Sequence, residues 1–512
     1  MELESNYEIA RTASFILSRN FTRVALQFPD ELLKDSTRVA RALRDKLRSS
    51  EDNVSDKDIG LYVMADTTYG SCCVDEVGAS HINADCVIHY GHTCLSPTST
   101  LPALFVLGKA PIGVSDCAEN LYNYVLTSGK PVMVLFGLEY AHAIPDIKVA
   151  VSDFEFSRSN GSTSRLDLHF GDVTCSVMDP SENSKTSNGN IELDDGFTAN
   201  QGSGNLIGTR YSIGGLSWVL PEGHYIQEYL LYWVGADNAA FANVVLTFNA
   251  CEIVRYDAAE NVLVTDVSLQ RRILKRRYYL VEKAKDANII GILVGTLGVA
   301  GYLHMIHQMK ELITRAGKKA YTLVMGRPNP AKLANFPECD VFIYVSCPQT
   351  ALLDSKEFLA PVITPFEAML AFSRGSQWTG AYVMEFQNLM TSFPVEVRDQ
   401  LEEARFSFLQ GGYVEDYVSE ETSEDNGDGT LALVKATEKA LRVVDSDPQS
   451  VIKGTAKSGA EYFAAHRSYH GLDIRSNNSL PEPFLIGRTG KASGYEDEKK
   501  QAGEFNESAN DK

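Results

Sequence analysis

The sequence predicts an α/β protein of several domains, in which parallel sheets are flanked by helices. Three observations predict this fold. The chain of 512 residues is too long for a single hydrophobic core. Its first third alternates short apolar runs with amphipathic segments, which is typical of strands followed by helices. The same βαβαβ order returns at residues 288–347, which indicates an internal repeat of one supersecondary unit.

The first segment is predicted to contain three strands separated by two helices. The strands are predicted at Arg23–Asp30, Gly60–Asp66 and Asp85–Cys94. The helices are predicted at Ser36–Arg48, with Ser36 as the N-cap residue, and at Cys73–Ile82. Ligands of parallel sheets bind outside the carboxyl ends of the strands, so residues that follow these strands are candidates for a site.

The second segment is predicted to repeat this order. Strands are predicted at Asn288–Thr296, Lys319–Gly326 and Cys339–Cys347, and an amphipathic helix at Gly301–Gly317. The glycines between Gly295 and Gly301 do not match the G-x-G-x-x-G pattern of a dinucleotide site. They predict close packing of a helix against the sheet instead.

A middle domain is predicted between the two repeats. It begins with a strand at Pro131–Gly137, and further elements are predicted at residues 223–237 and 242–249. Residues 158–208 are rich in Ser, Asn, Gly and Asp, which indicates a solvated insertion without a core of its own. The domains are therefore predicted at residues 1–128, 129–265 and 266–385, followed by a partly disordered C-terminal extension at residues 386–512.

The charge of the chain argues against nucleic acid as a direct partner. The formal net charge is −20, and non-specific nucleic-acid binding depends on neutralising phosphates. The acidic N-terminus lacks the features of a secretory signal, and the longest apolar run, Asn288–Leu303, is too short for a membrane span. We therefore predict a cytoplasmic protein without membrane contact. The basic segment Gln270–Lys283 is predicted to be a solvated helical face rather than a docking site for RNA or an acidic partner.

Four of the nine cysteines fall at or just after predicted strand ends. Cys72, Cys73 and Cys94 lie in the first predicted domain, and Cys347 lies in the third. Without a secretory context reduced thiols are expected, and clustered cysteines are more often metal-binding or catalytic than disulfide-bonded. The other five are predicted to be buried or incidental thiols: Cys86, Cys117, Cys175, Cys251 and Cys339.

Two kinds of metal site are consistent with the strand-end cysteines. Thiolates are soft ligands that suit both iron–sulfur clusters and zinc. His89 and His92 could complete a zinc set, but we predict that His89 points into a sheet face and that His92 lies in a loop. The spacing of the cysteines matches no compact metal-binding motif, so the spacing alone leaves ordinary buried cysteines as an alternative.

Two regions of the sequence resemble the signature regions of the diphthamide synthesis family. They are residues 66–97, which contain Cys72, Cys73 and Cys94, and residues 342–372, which contain Cys347. Short stretches of the tail, at residues 462–473 and 487–495, also resemble this family. The resemblance extends over nearly the whole chain apart from the polar insertions.

The resemblance implies a fold, a cofactor and a set of partners. The fold would have three domains related by internal triplication, with one [4Fe-4S] cluster at the domain junction. The partners would be a homologous catalytic first subunit, with which the chain forms a heterodimer, and an electron-donor protein. The reaction of the complex would move the 3-amino-3-carboxypropyl group of S-adenosylmethionine to a histidine of translation elongation factor 2, the first step of diphthamide biosynthesis.

This chain departs from the catalytic pattern of the family, in which each domain supplies one cluster cysteine. The matching middle-domain segment, Ser212–Gly223, contains no cysteine, and Leu220 stands where the catalytic subunit has one. The resemblance therefore implies a subunit that is not itself catalytic. Its cluster, held by Cys73, Cys94 and Cys347, would support reduction of the catalytic subunit's cluster.

The choice between the adjacent cysteines stays open at this point. Cys73 is preferred to Cys72 because the resemblance places the ligand beside the start of a helix, whose N-terminus would stabilise a thiolate. Two other functions remain as alternatives. One is a metal-free scaffold subunit that stabilises the catalytic chain and recruits elongation factor 2, and the other is a subunit with a structural zinc site.

Overall fold

Three parallel sheets with helices packed against them form the framework of the protein. They are seen in a computed structural model, which describes residues 2–49, 59–64, 69–158, 166–183, 208–353, 357–373, 376, 378, 380, 382–392, 405–407, 409 and 411–414. All of these residues belong to one compact unit of the chain. No helix among them is long and apolar enough to cross a membrane.

The strands and helices of the described residues are short and alternate along much of the chain. The strands are β1 (Arg23–Gln27), β2 (Gly60–Val63), β3 (Cys86–Gly91), β4 (Ala103–Leu107), β5 (Val132–Phe136), β6 (Leu168–Phe170), β7 (Asp172–Val173), β8 (Val177–Met178), β9 (Gly208–Ile213), β10 (Leu216–Pro221), β11 (Leu230–Val234), β12 (Glu252–Asp257), β13 (Val262–Val264), β14 (Ile289–Val294), β15 (Lys319–Val324), β16 (Val341–Val345), β17 (Val362–Ile363), β18 (Arg405–Ser407) and β19 (Gly412–Val414). The helices are α1 (Glu2–Asn6), α2 (Ile9–Ser18), α3 (Ser36–Arg48), α4 (Glu76–His81), α5 (Val114–Ser128), α6 (Ile144–Arg158), α7 (Pro180–Asn183), α8 (Ala239–Thr247), α9 (Val267–Lys285), α10 (Tyr302–Arg315), α11 (Pro330–Leu333), α12 (Pro365–Phe372) and α13 (Phe386–Ser392). Single 3₁₀ segments lie at Leu33–Asp35, Leu138–Ala143 and Ile226–Glu228.

The three main sheets share one strand order. The first sheet runs β2-β1-β3-β4, the second runs β6-β5-β11-β12 and the third runs β15-β14-β16-β17, with all neighbours in these series parallel. Numbered by their order along the chain, the four strands of each sheet therefore lie in the order second, first, third, fourth. The first two sheets each add one antiparallel strand beyond the fourth, β8 and β13 respectively. A three-stranded antiparallel sheet, β7-β10-β9, and the antiparallel pair β18-β19 complete the described strands.

The central strands are apolar and buried along their whole length, as expected for parallel strands covered on both faces. Strands β3, β5, β11, β14 and β16 contain no exposed residue. In the third sheet, Ile292 of β14 lies opposite Thr322 of β15 and Ile343 of β16. The hydrophobic core on one face of the third sheet also includes Cys72, Cys73 and Cys94. This core therefore extends to the loops of the first sheet that carry these thiols.

The α/β fold with helix-flanked parallel sheets is confirmed, and so are the six strands predicted in the two repeated segments. The prediction for Ser36 is wrong: Ser36 is the first residue of α3 and follows a 3₁₀ turn, and the N-cap residue is Asp35. The basic segment does form a helix, α9, on which Arg271 and Lys275 are exposed.

The prediction that residues 158–208 form a solvated insertion without a core is wrong for residues 166–183. Strand β6 pairs with β5 in the second sheet, and β8 pairs with β4 in the first, so residues 166–183 contribute to both sheets. These edge strands are only two or three residues long, which is too short for a hydrophobic period to be visible in the sequence. The rest of the insertion, residues 159–165 and 184–207, and most of the predicted C-terminal extension lie outside the described residues.

Candidate metal centre

Four cysteine side chains converge where loops of the first sheet contact the third sheet. The Sγ atoms of Cys72, Cys73, Cys94 and Cys347 all lie within 4.8 Å of one another, and all four residues are buried. Cys72 Sγ lies 3.4 Å from Cys347 Sγ, and Cys94 Sγ lies 3.8 Å from Cys73 Sγ. A disulfide needs an S–S distance of about 2.05 Å, so these are four free thiols. We call them the four-cysteine group.

A tight turn after β2 positions the two adjacent cysteines. The Cys73 backbone N–H donates to Gly70 O at 3.3 Å, which closes the turn. The buried side chain of Gln27, the last residue of β1, braces this turn from the neighbouring strand. Its Nε2 donates to Cys73 O at 2.8 Å, and its Oε1 accepts from the Asp75 N–H at 2.9 Å. Helix α4 then begins, with Asp75 as its N-cap residue accepting from Gly78 N at 2.9 Å.

Cys94 is fixed to the same turn by its backbone. It lies three residues beyond β3, and its N–H donates to Cys72 O at 3.1 Å. The Thr93 hydroxyl donates to the same carbonyl at 3.3 Å. Two loops at the carboxyl edge of the first sheet are thereby joined into one unit that carries three of the four thiols.

The third sheet supplies Cys347 and two threonine hydroxyls. Cys347 follows β16, and the Thr350 hydroxyl lies 3.2 Å from its Sγ. The Thr296 hydroxyl, which follows β14, donates toward Cys73 Sγ at 3.7 Å. Hydrogen bonds to ligand sulfurs tune the reduction potential of an iron–sulfur centre, so these hydroxyls could influence a bound metal as well as the thiols.

Gly298 lets the third sheet approach the cysteine turn closely. A Cβ atom at this position would lie 2.1 Å from Val74 O, a backbone atom that cannot move away cheaply. The glycine-rich segment is predicted to allow helix–sheet packing. Gly295, directly after β14, instead packs against the Tyr344 ring of the neighbouring strand β16. Gly298 allows the loop after β14 to pack on Val74, the residue that follows Cys73.

We expect Gly298→Ala to separate the two loops and to weaken metal retention. Overpacking of this kind typically costs about 1–3 kcal/mol of the free energy of unfolding. The metal content per chain and the melting temperature of the purified protein measure both effects. Gly108→Ala is the matched control, because its new Cβ would meet the nearest atom at an ordinary 3.7 Å. Full metal content and unchanged melting in Gly298→Ala would contradict the close approach.

Hydrogen bonding among the thiols separates their pKa values. The hydrogen bond to Cys347, together with burial, raises the pKa of Cys72 and of Cys73. The hydrogen bonds from Cys72 and Cys73 lower the pKa of Cys347 well below its ordinary value. These hydrogen bonds therefore favour the thiolate form at Cys347 and the thiol form at Cys72 and Cys73. Binding of a metal cation would displace the remaining thiol protons of the four-cysteine group, because metals bind the thiolate form.

The two histidines take no part in the four-cysteine group. His89 is buried in β3 with its Nε2 3.1 Å from Ser71 O, and burial lowers its pKa to about 4, so it is neutral at pH 7. His92 is exposed in the following loop. Of the other cysteines, Cys175 is half-buried and the rest are buried: Cys86, Cys117, Cys251 and Cys339.

Sequence reasoning missed the residues that brace the thiols. Gln27, Thr296 and Thr350 each lie at or after a strand end, and that position is the only signal that could have marked them. Leu220 is fully buried in β10, and no cysteine of the second sheet joins the four-cysteine group in the described residues.

Comparison with known proteins defines the class to which this fold and site belong. A family model described as "Putative diphthamide synthesis protein" matches residues 28–383. The chain belongs to this family of diphthamide synthesis proteins. Its fold is similar to that of a crystal structure of Dph2 from Pyrococcus horikoshii with a 4Fe-4S cluster, with a TM-score of 0.50 and 16% identity over 73% of this chain and 94% of that one.

Several curated relatives carry one particular name, 2-(3-amino-3-carboxypropyl)histidine synthase subunit 2. The protein from Danio rerio is 35% identical to this chain over 96% of this chain and 91% of the relative. The proteins from Gallus gallus and Schizosaccharomyces pombe are 34% and 32% identical, over 96% of this chain and 92% and 91% of their own lengths. The chain is therefore similar over nearly its whole length to the second subunit of this synthase.

Proposed function

We propose that this chain is an iron–sulfur accessory subunit of a heterodimeric transferase. The transferase moves the 3-amino-3-carboxypropyl group of S-adenosylmethionine to a histidine of elongation factor 2, the first step of diphthamide biosynthesis. The observation that carries the proposal is the group of four buried thiols within 4.8 Å of one another. The family of the chain and the name of its relatives, which describes one subunit of a histidine-modifying synthase, support it.

The donor set of the site fits an iron–sulfur cluster. It consists of thiols alone, which are the soft ligands of such clusters, and the site is closed to solvent. We assign Cys73, Cys94 and Cys347 as ligands of a [4Fe-4S] cluster. The cluster would supply one-electron transfer. The Dph2 protein of similar fold carries a cluster of this type.

The repeated strand order supports an origin by internal triplication. Three sheets with the order second, first, third, fourth are explained most simply by three copies of one α/β unit. We propose domains at residues 1–128, 129–265 and 266–385, with an extension at residues 386–512. The cluster would lie at the junction of the first and third domains.

Two features favour an accessory role over catalysis. The second sheet contributes no thiol to the four-cysteine group in the described residues. The cavity that borders all three sheets, lined by Thr93, Phe136, Trp233 and Gln349 among others, has a volume of about 10 Å³. That is the space of about one water molecule, far too small for S-adenosylmethionine. The sulfonium would then bind to the catalytic subunit of the complex.

The proposed partners follow from this role. A homologous catalytic first subunit would form the heterodimer, and elongation factor 2 would be the cytoplasmic substrate. One electron would pass from an electron-donor protein to the cluster of this chain and then to the cluster of the catalytic subunit. No contact with nucleic acid or membrane is proposed.

The heterodimer with the first subunit tests the electron-transfer role. The full chain is co-expressed with its partner under anaerobic conditions, either intact or with Cys73 and Cys94 replaced by alanine. We expect the substituted complex to reduce the partner's cluster more slowly, and then to modify elongation factor 2 at the normal rate once that cluster is reduced. Electron paramagnetic resonance follows the reduction, and mass spectrometry follows the modified histidine.

Three outcomes would overturn parts of the proposal. Modification of elongation factor 2 by this chain alone would make it a catalyst in its own right. A chain without metal that still supports the complex would favour the scaffold role. Zinc instead of iron would favour a structural site. Sulfur separations of 3.4 and 3.8 Å match a tetrahedral zinc–thiolate site, which places sulfurs about 3.8 Å apart. Thiolates on different irons of a [4Fe-4S] cluster lie farther apart, so the thiols would separate on binding the cluster.

A further inference from the structure

The loop after β16 places two hydroxyl groups beside Cys347. The Thr350 hydroxyl oxygen lies 3.2 Å from Cys347 Sγ and 2.5 Å from the hydroxyl oxygen of Ser346. Ser346 is 1% exposed and Cys347 is fully buried, so water has little access to either side chain. The three side chains form a series of contacts that begins at Ser346, passes through Thr350 and ends on the sulfur of Cys347.

Hydrogen bonds can run along this series in two directions, because a hydroxyl group can both donate and accept. When Cys347 is a thiol, its S–H can donate to the Thr350 hydroxyl. The Ser346 hydroxyl can then donate to the carbonyl oxygen of Gly295 at 3.3 Å. When Cys347 is a metal-bound thiolate, its sulfur can only accept. Thr350 then donates to the sulfur, and Ser346 donates to Thr350 across the short 2.5 Å contact.

We propose that Ser346 and Thr350 form a hydroxyl relay that donates to the metal-bound Cys347 thiolate and raises the reduction potential of the centre. Reduction adds negative charge that the ligand sulfurs share, so a hydrogen bond to a sulfur stabilises the reduced form more than the oxidised form. The outer hydroxyl polarises the inner one, which strengthens this bond. The inference rests on the proposed function and deepens it, because the reduction potential decides from which donors the centre can accept an electron.

The relay stays with Cys347 when the thiols separate on binding a cluster. Thr350 and Cys347 belong to one turn, in which the Thr350 N–H donates to Cys347 O at 3.0 Å. A Cβ on Gly70 would lie 3.2 Å from the Thr350 methyl carbon and 3.9 Å from its hydroxyl oxygen, so the methyl group packs on the loop of the first sheet. The Thr296 hydroxyl differs, because it reaches Cys73 Sγ across the contact between two sheets, at 3.7 Å. Thr350 is therefore the hydroxyl whose bond to sulfur does not depend on how the sheets meet.

The test measures the reduction potential of the full-length chain after anaerobic reconstitution with iron and sulfide. Thr350→Val removes the inner hydroxyl and keeps the branched shape of the side chain. We expect this variant to keep its iron and to have a lower reduction potential. At a fixed potential, the ratio of reduced to oxidised centre should fall about tenfold, which corresponds to about 59 mV for a one-electron couple. A redox titration followed by electron paramagnetic resonance measures this shift.

Three further variants separate the relay from packing. Thr350→Ser keeps the hydroxyl and loses only the methyl group, so its potential should stay close to that of the unaltered chain. Ser346→Ala removes the outer hydroxyl and should lower the potential by less than Thr350→Val does. Thr12→Val is the control, because Thr12 is a fully buried threonine of α2, outside the four-cysteine group. Its potential should not change.

Each outcome decides the inference. An unchanged or higher potential in Thr350→Val with full iron would overturn it and leave the iron–sulfur role intact. Equal shifts in Thr350→Val and Thr350→Ser would assign the effect to packing and would also overturn it. If Thr350→Val failed to fold or to retain iron, Ser346→Ala would carry the test, and an unchanged potential there would overturn the relay. Absence of iron from the unaltered chain would overturn the proposed function and this inference together.

Discussion

Replacing Cys347 with alanine is expected to abolish binding of the proposed iron–sulfur cluster and to leave the three sheets folded. In the four-cysteine group of the described residues, Cys347 is the only thiol that comes from the third sheet. The hydrogen bonds from Cys72 and Cys73 also lower its pKa, which favours the thiolate form that a metal binds. Without it, the remaining thiols lie on one side and leave the metal open toward the third sheet. Iron analysis and the visible absorption spectrum measure the loss.

Cys339→Ala is the matched control for this substitution. Cys339 is buried beside the amino-terminal end of the same strand, β16, and lies outside the four-cysteine group. Both substitutions remove a buried sulfur next to the third sheet, so they should cost similar packing energy. We expect Cys339→Ala to keep its iron. Full iron with an unchanged spectrum in Cys347→Ala would show that the site does not include the third sheet.

The sequence predicts which cysteines are candidates, because they follow predicted strands. It does not predict that the first and third sheets meet at these cysteines. The apolar runs that end before Cys94 and Cys347 are long and bounded by polar residues, so their type and position are visible without a structure. Parallel strands place such ends at one edge of a sheet, which is why these cysteines were candidates. The contact between the two sheets depends on packing between distant segments, and no local pattern encodes it.

The direction of the Cys72 side chain illustrates this limit. A sequence with two adjacent cysteines suggests that only one of them can face a given site. The turn at Gly70 and its packing against Thr350 direct both side chains into the group, and Gly70 and Thr350 are 280 positions apart. Gln27 is a similar case. A polar residue at the end of an apolar strand has no visible purpose until the turn that it braces is known.

The largest effect on stability is expected from Glu367→Ala. Glu367 in α12 and Arg277 in α9 form a bidentate ion pair whose side chains are 0% and 6% exposed. Burial alone would lower the pKa of Arg277, but the Glu367 carboxylate raises it above its ordinary value. The Tyr382 hydroxyl and the Thr364 N–H also donate to this carboxylate, at 3.0 and 2.9 Å. Its removal leaves a buried guanidinium without a counter-charge.

Removing one partner of a buried ion pair costs about 3–5 kcal/mol of the free energy of unfolding. Denaturant unfolding of the full-length protein measures this cost. Simultaneous measurement of released iron shows whether the region around the third sheet opens when the pair is lost. Helix α12 packs on both α9 and β16, the strand that precedes Cys347, so we expect iron release to shift to lower denaturant concentration together with unfolding.

Two further variants show that the cost comes from the uncompensated charge. Glu311→Ala removes the exposed partner of Arg315 on α10, and such surface pairs contribute only about 0–1 kcal/mol. The double variant Arg277→Met with Glu367→Leu replaces the buried pair by apolar side chains of similar size. Replacing a buried ion pair in this way is often neutral, so the double variant should regain most of the stability that Glu367→Ala loses. If the double variant were as unstable as the single one, the loss would come from the hydrogen bonds to Thr364 and Tyr382 and not from the buried charge of Arg277.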